Sequence, residues 1–213
     1  SKFIADSSIV YFDRAARLAE RLGNHDKLYD ALLRKAGMLI HTGFYLAGSM
    51  ILDTVPRDAM KGDNLSRYYN IYRGLYHDAY QELGSKPEMR SEFVAEYEAY
   101  RDTLLALLPE NNNNSLRERE KICARNGDLE EALALNARRM DSLSPDDTQG
   151  RALALYDRHA IYFFYTGHPV EEHIEDLLES AILDIVSANQ DIGSLRYVEH
   201  YLTKIGDLAN AKR

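Results

Sequence analysis

The residues of this chain that could do chemistry are seven histidines, one cysteine, an excess of carboxylates and a short ladder of cations. The densest histidine cluster is His168-Pro169-Val170-Glu171-Glu172-His173. A zinc site of the H-x-x-E-H type needs its ligands on one face of a helix, and this run is one residue out of register with it. Its two histidines also turn well apart on a helix. Acidic residues in a first helical turn, favoured there by the helix dipole, account for the cluster better. Glu130-Glu131 and Asp146-Asp147 pair carboxylates, but in turns and helix starts, where they act as solvated caps. Cys123 has no second cysteine to join and reads as a small buried hydrophobe. There is no G-x-S-x-G nucleophile motif and no phosphate-cradling glycine loop. The expectation is no catalytic residue, no metal ligand and no cofactor: the chain is not read as an enzyme.

What remains is recognition chemistry. Arg117, Lys121 and Arg125 follow one another at four-residue intervals, so they share one face of one helix. Guanidinium groups match carboxylates in a fork geometry, which suits an acidic ligand. The alternative is a solvated charged face with Glu118 and Glu120 as partners along the same helix. On either reading these cations are exposed, and removing them should change stability little. Fifteen tyrosines stand against no tryptophan, and Tyr69, Tyr72, Tyr76 and Tyr80 form one helical stripe that Tyr97 and Tyr100 could meet from a partner helix. That stripe is either core packing with hydroxyls at the rim, or an aromatic recognition wall.

The elements that must position these residues are helices. The 213 residues are 45% hydrophobic and 28% charged, enough to bury a core, and 5 prolines with 12 glycines are too few for a turn-rich β fold. A net charge of −8 argues against a nucleic-acid partner, which wants a basic face. No apolar run is long enough to span a membrane. Apolar periodicity predicts helices over 6–22, 27–41, 45–53, 64–83, 88–108, 116–126, 129–143, 148–166, 169–188 and 192–205, and no strand. The polar tract 110–115 divides residues 1–110 from 111–213, with Asn114 or Ser115 expected to cap the helix that follows.

Glycines recur after alternate helices. Gly43, Gly84, Gly127, Gly167 and Gly206 are separated by 41, 43, 40 and 39 residues, one helical hairpin per period. A fixed period near forty is the mark of an α-solenoid. The run Asn126-Gly127-Asp128-Leu129-Glu130-Glu131-Ala132-Leu133 has the form of a tetratricopeptide repeat (TPR) turn, with an alanine five residues after the glycine. Gly206 and Ala211 repeat that spacing, and Gly43 and Gly48 do so with glycine as the small residue. Seven residues before the turn glycine a TPR wants another small residue; Ala36 and Ala160 supply it, whereas Glu120 and Glu199 do not, and His173 stands in a small-residue place. The chain therefore resembles a divergent TPR protein, an all-α, right-handed solenoid.

The resemblance implies that first helices line the concave face. Counting back from each turn glycine puts Arg117, Lys121 and Arg125 there, then Asp157, Ile161, Phe164 and Tyr165, then Tyr197 and Tyr201. A basic ladder beside an aromatic strip suits an acidic peptide or protein partner. The run from Asp6 to Ala15, then Leu18-Ala19-Glu20-Arg21-Leu22-Gly23-Asn24, Leu33-Arg34-Lys35-Ala36 and Gly43-Phe44-Tyr45, resembles the amino-terminal TPR region of membrane-anchored Bacteroidetes transcription regulators. That likeness implies a sensory segment on the periplasmic side, ahead of a transmembrane helix and an intracellular regulatory part. Ser1 in place of a methionine, and ends that fall inside repeats, suit a continuous array cut from a longer chain. The rival reading is a scaffold or oligomerisation segment with no ligand groove.

Overall fold

The computed structural model describes residues 2–82, 87–167, 173–187, 193–204 and 206. Among them every regular element is helical. The chain divides into two compact units, Ser1–Pro109 and Glu110–Arg213. The first holds α1 (Lys2–Arg21), α2 (His25–His41), α3 (Tyr45–Leu52), α4 (Gly62–Glu82) and α5 (Pro87–Leu107). The second holds α6 (Asn113–Arg125), α7 (Leu129–Ser142), α8 (Thr148–Ile161), α9 (Ile174–Val186) and α10 (Gly193–Lys204). In the first unit α1 packs on α2, α2 on both α3 and α4, and α4 on α5; in the second each helix from α6 to α10 packs on the next. The fold is all-α and built of TPR-like hairpins.

The turns explain why glycine recurs. At Gly43 and Gly127 the backbone takes φ +88° and +85°, a region that side chains disfavour. In both, the residue after the glycine donates its N–H five positions back, Phe44 to Leu39 and Asp128 to Cys123, which satisfies carbonyls left over at the helix end. Asp128 then caps α7 by accepting from the N–H of Glu131, so one short segment stops one helix and starts the next. Gly84, the stretch 168–172 with Pro169, and Ala211 lie outside the described residues.

Close approach follows from the small residues. Ala36 and Ala132 are both fully buried. A Cβ built on Gly48 would sit 2.5 Å from Ile40 Cγ1 and 3.0 Å from the Ala36 carbonyl, so α2 and α3 meet at a distance that glycine alone tolerates. Around that contact lie Leu33, Leu52, Val55 and Met60, the core of the first unit.

The tyrosine stripe is a helix–helix seam. Tyr100 of α5 stacks on Tyr72 (centroids 4.8 Å apart, 11° between planes) and on Tyr76 (5.4 Å, 19°) of α4. Tyr97 is buried and packs edge-on against Tyr80. The Tyr72 hydroxyl donates to Asp53 at 3.3 Å. Burial pushes the Tyr72 phenol well above its ordinary range and Tyr100 up to about 12. This is the packing reading of the stripe, with Tyr68 as a further member beside Tyr72.

Helix α1 starts at Lys2 and not at residue 6, α4 at Gly62 and not at 64, and two further boundaries differ for a local reason. Helix α6 starts earlier, because Asn112, in extended conformation, accepts from the N–H of Asn114; Ser115 is buried inside the helix and caps nothing. Helix α8 ends at Ile161 and runs on as a single π turn, Tyr162–Thr166, before Gly167.

Ala132→Arg should destabilise the protein by more than about 3 kcal/mol in urea unfolding, by overpacking and by burying a charge. Gly48→Ala should cost about 1–3 kcal/mol through the contact with Ile40. Ala134→Arg, at an exposed position in the same helix, should stay within about 0.5 kcal/mol of wild type.

Candidate functional site

The second unit is organised around charge. Arg117 on α6 donates from Nε (2.7 Å) and Nη2 (3.1 Å) to the two carboxylate oxygens of Asp157 on α8. Arg139 on α7, with 4% of its side chain exposed, bridges the same Asp157 from Nη2 (2.8 Å) and Glu120 from Nη1 (2.9 Å). Asn136, one turn before Arg139, donates to Glu120 and to the Ala154 carbonyl. Three helices are thus joined by two carboxylates, two guanidiniums and one amide.

The two carboxylates sit in opposite electrostatic environments. Burial pushes the Glu120 carboxyl up to about 7, which Arg139 only partly offsets and the neighbouring Asp157 adds to. Burial also opposes ionisation of Asp157, but the Arg117 guanidinium outweighs it and, with Arg139, brings Asp157 down to about 2. Perturbed carboxylates can mark catalytic sites, but ion-pair networks produce the same signature. The hydrogen bonds of both carboxylates run to Arg117, Asn136 and Arg139, and the cluster ties the three helices together.

The network resolves two expectations. Glu120 occupies a place where a TPR wants a small residue; it is 1% exposed, and Asn136 and Arg139 supply what its burial requires. Arg117 is not an exposed cation: it is half-buried and held by Asp157 forty residues away, one repeat along. The solvated-face alternative holds in part: Glu118 pairs with Lys121 along α6, but Glu118 and Glu120 are both buried.

The π turn shifts the register of α8. Buried Ser115, Leu116, Glu118 and Glu120 correspond to buried Ala154, Leu155, Asp157 and His159, an offset of 39, whereas Gly127 and Gly167 differ by 40. One extra residue lies between the buried row and the turn. Counting back from Gly167 therefore stops one residue short before residue 162. Asp157 falls in the buried row, Tyr156 falls in the row of Arg117, and His159 in place of Ala160 takes the small-residue position. His159 stacks on Phe163, its Nδ1 lies 3.1 Å from the His173 carbonyl, and burial lowers its basicity. His173 itself stacks face to face on Tyr162.

The remaining residues of the expected strip are partly assembled. Phe164 and Tyr165 are 55% and 44% exposed. Phe164 meets Tyr197 of α10 edge-on at 6.1 Å, and Tyr156 lies 6.1 Å from the same ring. Tyr201 is half-buried and Ile161 is buried. Lys121 Nζ lies 4.0 Å from Glu118, and exposed Arg125 donates Nε to the Lys121 carbonyl. Among the described residues no group of His, Cys, Asp and Glu could hold a metal ion, and no helix is long and apolar enough to cross a membrane.

Two substitutions test the network. Because the folded Glu120 carboxyl is raised from near 4.5 to about 7, its favourable contribution is complete below about pH 4.5 and is lost as pH rises through 7. Asp157, lowered, contributes steadily across that window. Urea unfolding at pH 5 and pH 8 should show wild type losing up to about 3 kcal/mol that Glu120→Gln does not lose. Arg117→Ala should cost about 2 kcal/mol, less than the loss of a sole partner because Asp157 keeps Arg139.

Comparison with known proteins agrees with this architecture. Searches of curated proteins and of solved structures find no match. The family model of the SusR N-terminal TPR domain matches residues 1–213. With that match spanning its whole length, the chain belongs to the SusR N-terminal TPR domain family.

Proposed function

We propose that this chain is a protein- or peptide-binding module, the sensory part of a membrane-anchored transcription regulator that faces the periplasm, and that its partner is acidic. The observation that carries the reading is the exposure of Phe164 and Tyr165 at 55% and 44%, beside Tyr197 and on the helix that Arg117 ties to α6. Large exposed aromatics suit a recognition surface, since rings supply contact area at low entropic cost. Lys121 and Arg125 on α6, with Phe164, Tyr165, Tyr197 and Tyr201, form the proposed contact surface. Arg117 holds that surface in shape through Asp157. The regulators that this sequence resembles carry their TPR array ahead of a membrane helix, which is the basis for the sensory role. The net charge of −8 disfavours nucleic acid as the direct ligand.

A second reading, a scaffold or oligomerisation segment, has its own support. Leu178, Ile182, Ile185 and Val186 line α9 with exposures of 39%, 59%, 64% and 71%. An apolar helix stripe of that kind suits self-association.

Calorimetric titration with a glutamate-rich peptide at two salt concentrations separates the readings. Binding should weaken as salt rises. Arg125→Ala should cost about 1.5–3 kcal/mol of binding while leaving unfolding nearly unchanged. No binding to wild type, together with self-association that Ile182→Asp abolishes, would favour the scaffold.

A further inference from the structure

A cleft of about 300 Å³ opens between the start of α6, the end of α7 and the start of α8. We infer that it takes one acidic side chain of a bound peptide together with that residue's backbone N–H. The inference rests on the acidic-partner reading above and assigns that partner an anchor.

The cleft's polar groups are placed before any ligand arrives. Arg117 lines it and is immobilised by Asp157 through Nε and Nη2. A guanidinium has five N–H donors, so the two on Nη1 stand outside that pair. Holding the cation in advance removes the entropy of ordering it on binding. Arg139 contributes a second, buried guanidinium to the wall, its two terminal nitrogens held by Glu120 and Asp157. On the α8 side, Asp147 uses Oδ1 to cap the Gly150 N–H at 2.8 Å. Its carboxylate has acceptor capacity beyond that one bond and suits an N–H donor.

That pairing selects among anions. A bare anion would meet Arg117 favourably and Asp147 unfavourably. An acidic residue inside a peptide offers a carboxylate to the one and a backbone N–H to the other. Leu143 and Leu153 line the cleft as apolar wall for the side-chain methylenes, and Asn114 stands exposed at the mouth. The volume lies at the low end of the range of about 300–1,000 Å³ usual for ligand pockets, which suits one residue more than an extended stretch.

The test uses the whole chain, ¹⁵N-labelled, titrated with N-acetyl-Ala-Glu-Ala-amide and its glutamine counterpart. The glutamate peptide should give saturable shifts at amides 113–117 and 147–153, and the glutamine peptide should bind about tenfold more weakly. Asn114→Trp, which fills the mouth from an exposed position, should weaken the glutamate peptide about tenfold with unchanged circular dichroism. Arg138→Ala, an equal change of charge on exposed α7 surface outside the cleft, should alter affinity by less than about twofold. Equal binding of the two peptides, or no effect of Asn114→Trp, would overturn the inference. If a long glutamate-rich peptide binds through Lys121 and Arg125 while the short one shifts nothing in the cleft, the anchor is wrong and the contact surface stands. If the short peptide binds as described and the long one ignores Lys121 and Arg125, the anchor stands and the wider surface falls.

Discussion

Arg139 is where the second unit is decided. It comes from the middle helix of three and gives one terminal nitrogen to Glu120 on α6 and the other to Asp157 on α8. Both carboxyl groups are buried, so each needs hydrogen-bonding partners, and the ionised Asp157 needs a cation. A guanidinium is rigid and planar, and it reaches both only when α6, α7 and α8 stand at one mutual height. Arg117 then supplies the charge that a single arginine cannot share between two carboxylates. Such clusters add little net stability, because desolvation cancels most of the attraction. What this one fixes is register.

The first unit meets the same packing problem without charge. Ala36 and Gly48 let α2 and α3 close to van der Waals contact, and a seam of stacked tyrosines fills the wider space between α4 and α5. Where the second unit replaces a small residue by Glu120, its neighbours Asn136 and Arg139 compensate for it. Where it replaces one by His159, the ring is stacked on Phe163 and bonded to the His173 backbone. In this chain the larger or polar side chains at these places, Glu120 and His159, each find a partner within the same unit.

Much of the fold was legible because it rests on local chemistry. Turn glycines with positive φ, an aspartate cap after Gly127, and small residues at Ala36, Gly48 and Ala132 are all signalled within a few positions of one another. The site was less legible because it rests on side chains from three helices. That Arg117 and Asp157 are one repeat apart was a usable signal, as was a glutamate in a place that wants alanine. The π turn after Ile161 left none, since a single inserted residue does not disturb apolar periodicity over so short a stretch. It moved the α8 register by one, exchanging Asp157 for Tyr156 beside the Arg117 row.

The functional account follows from what the network leaves outside itself. With Arg117 engaged, the other cations of α6 are Arg119, Lys121 and Arg125, and the exposed rings of this unit include Phe164 and Tyr165 of the π turn. Chemical-shift mapping of the ¹⁵N-labelled chain with a glutamate-rich peptide tests the account most directly. The account predicts perturbed amides along α6, the π turn and α10, with the outer face of α9 silent. Perturbations confined to α9, or to the first unit, would contradict it.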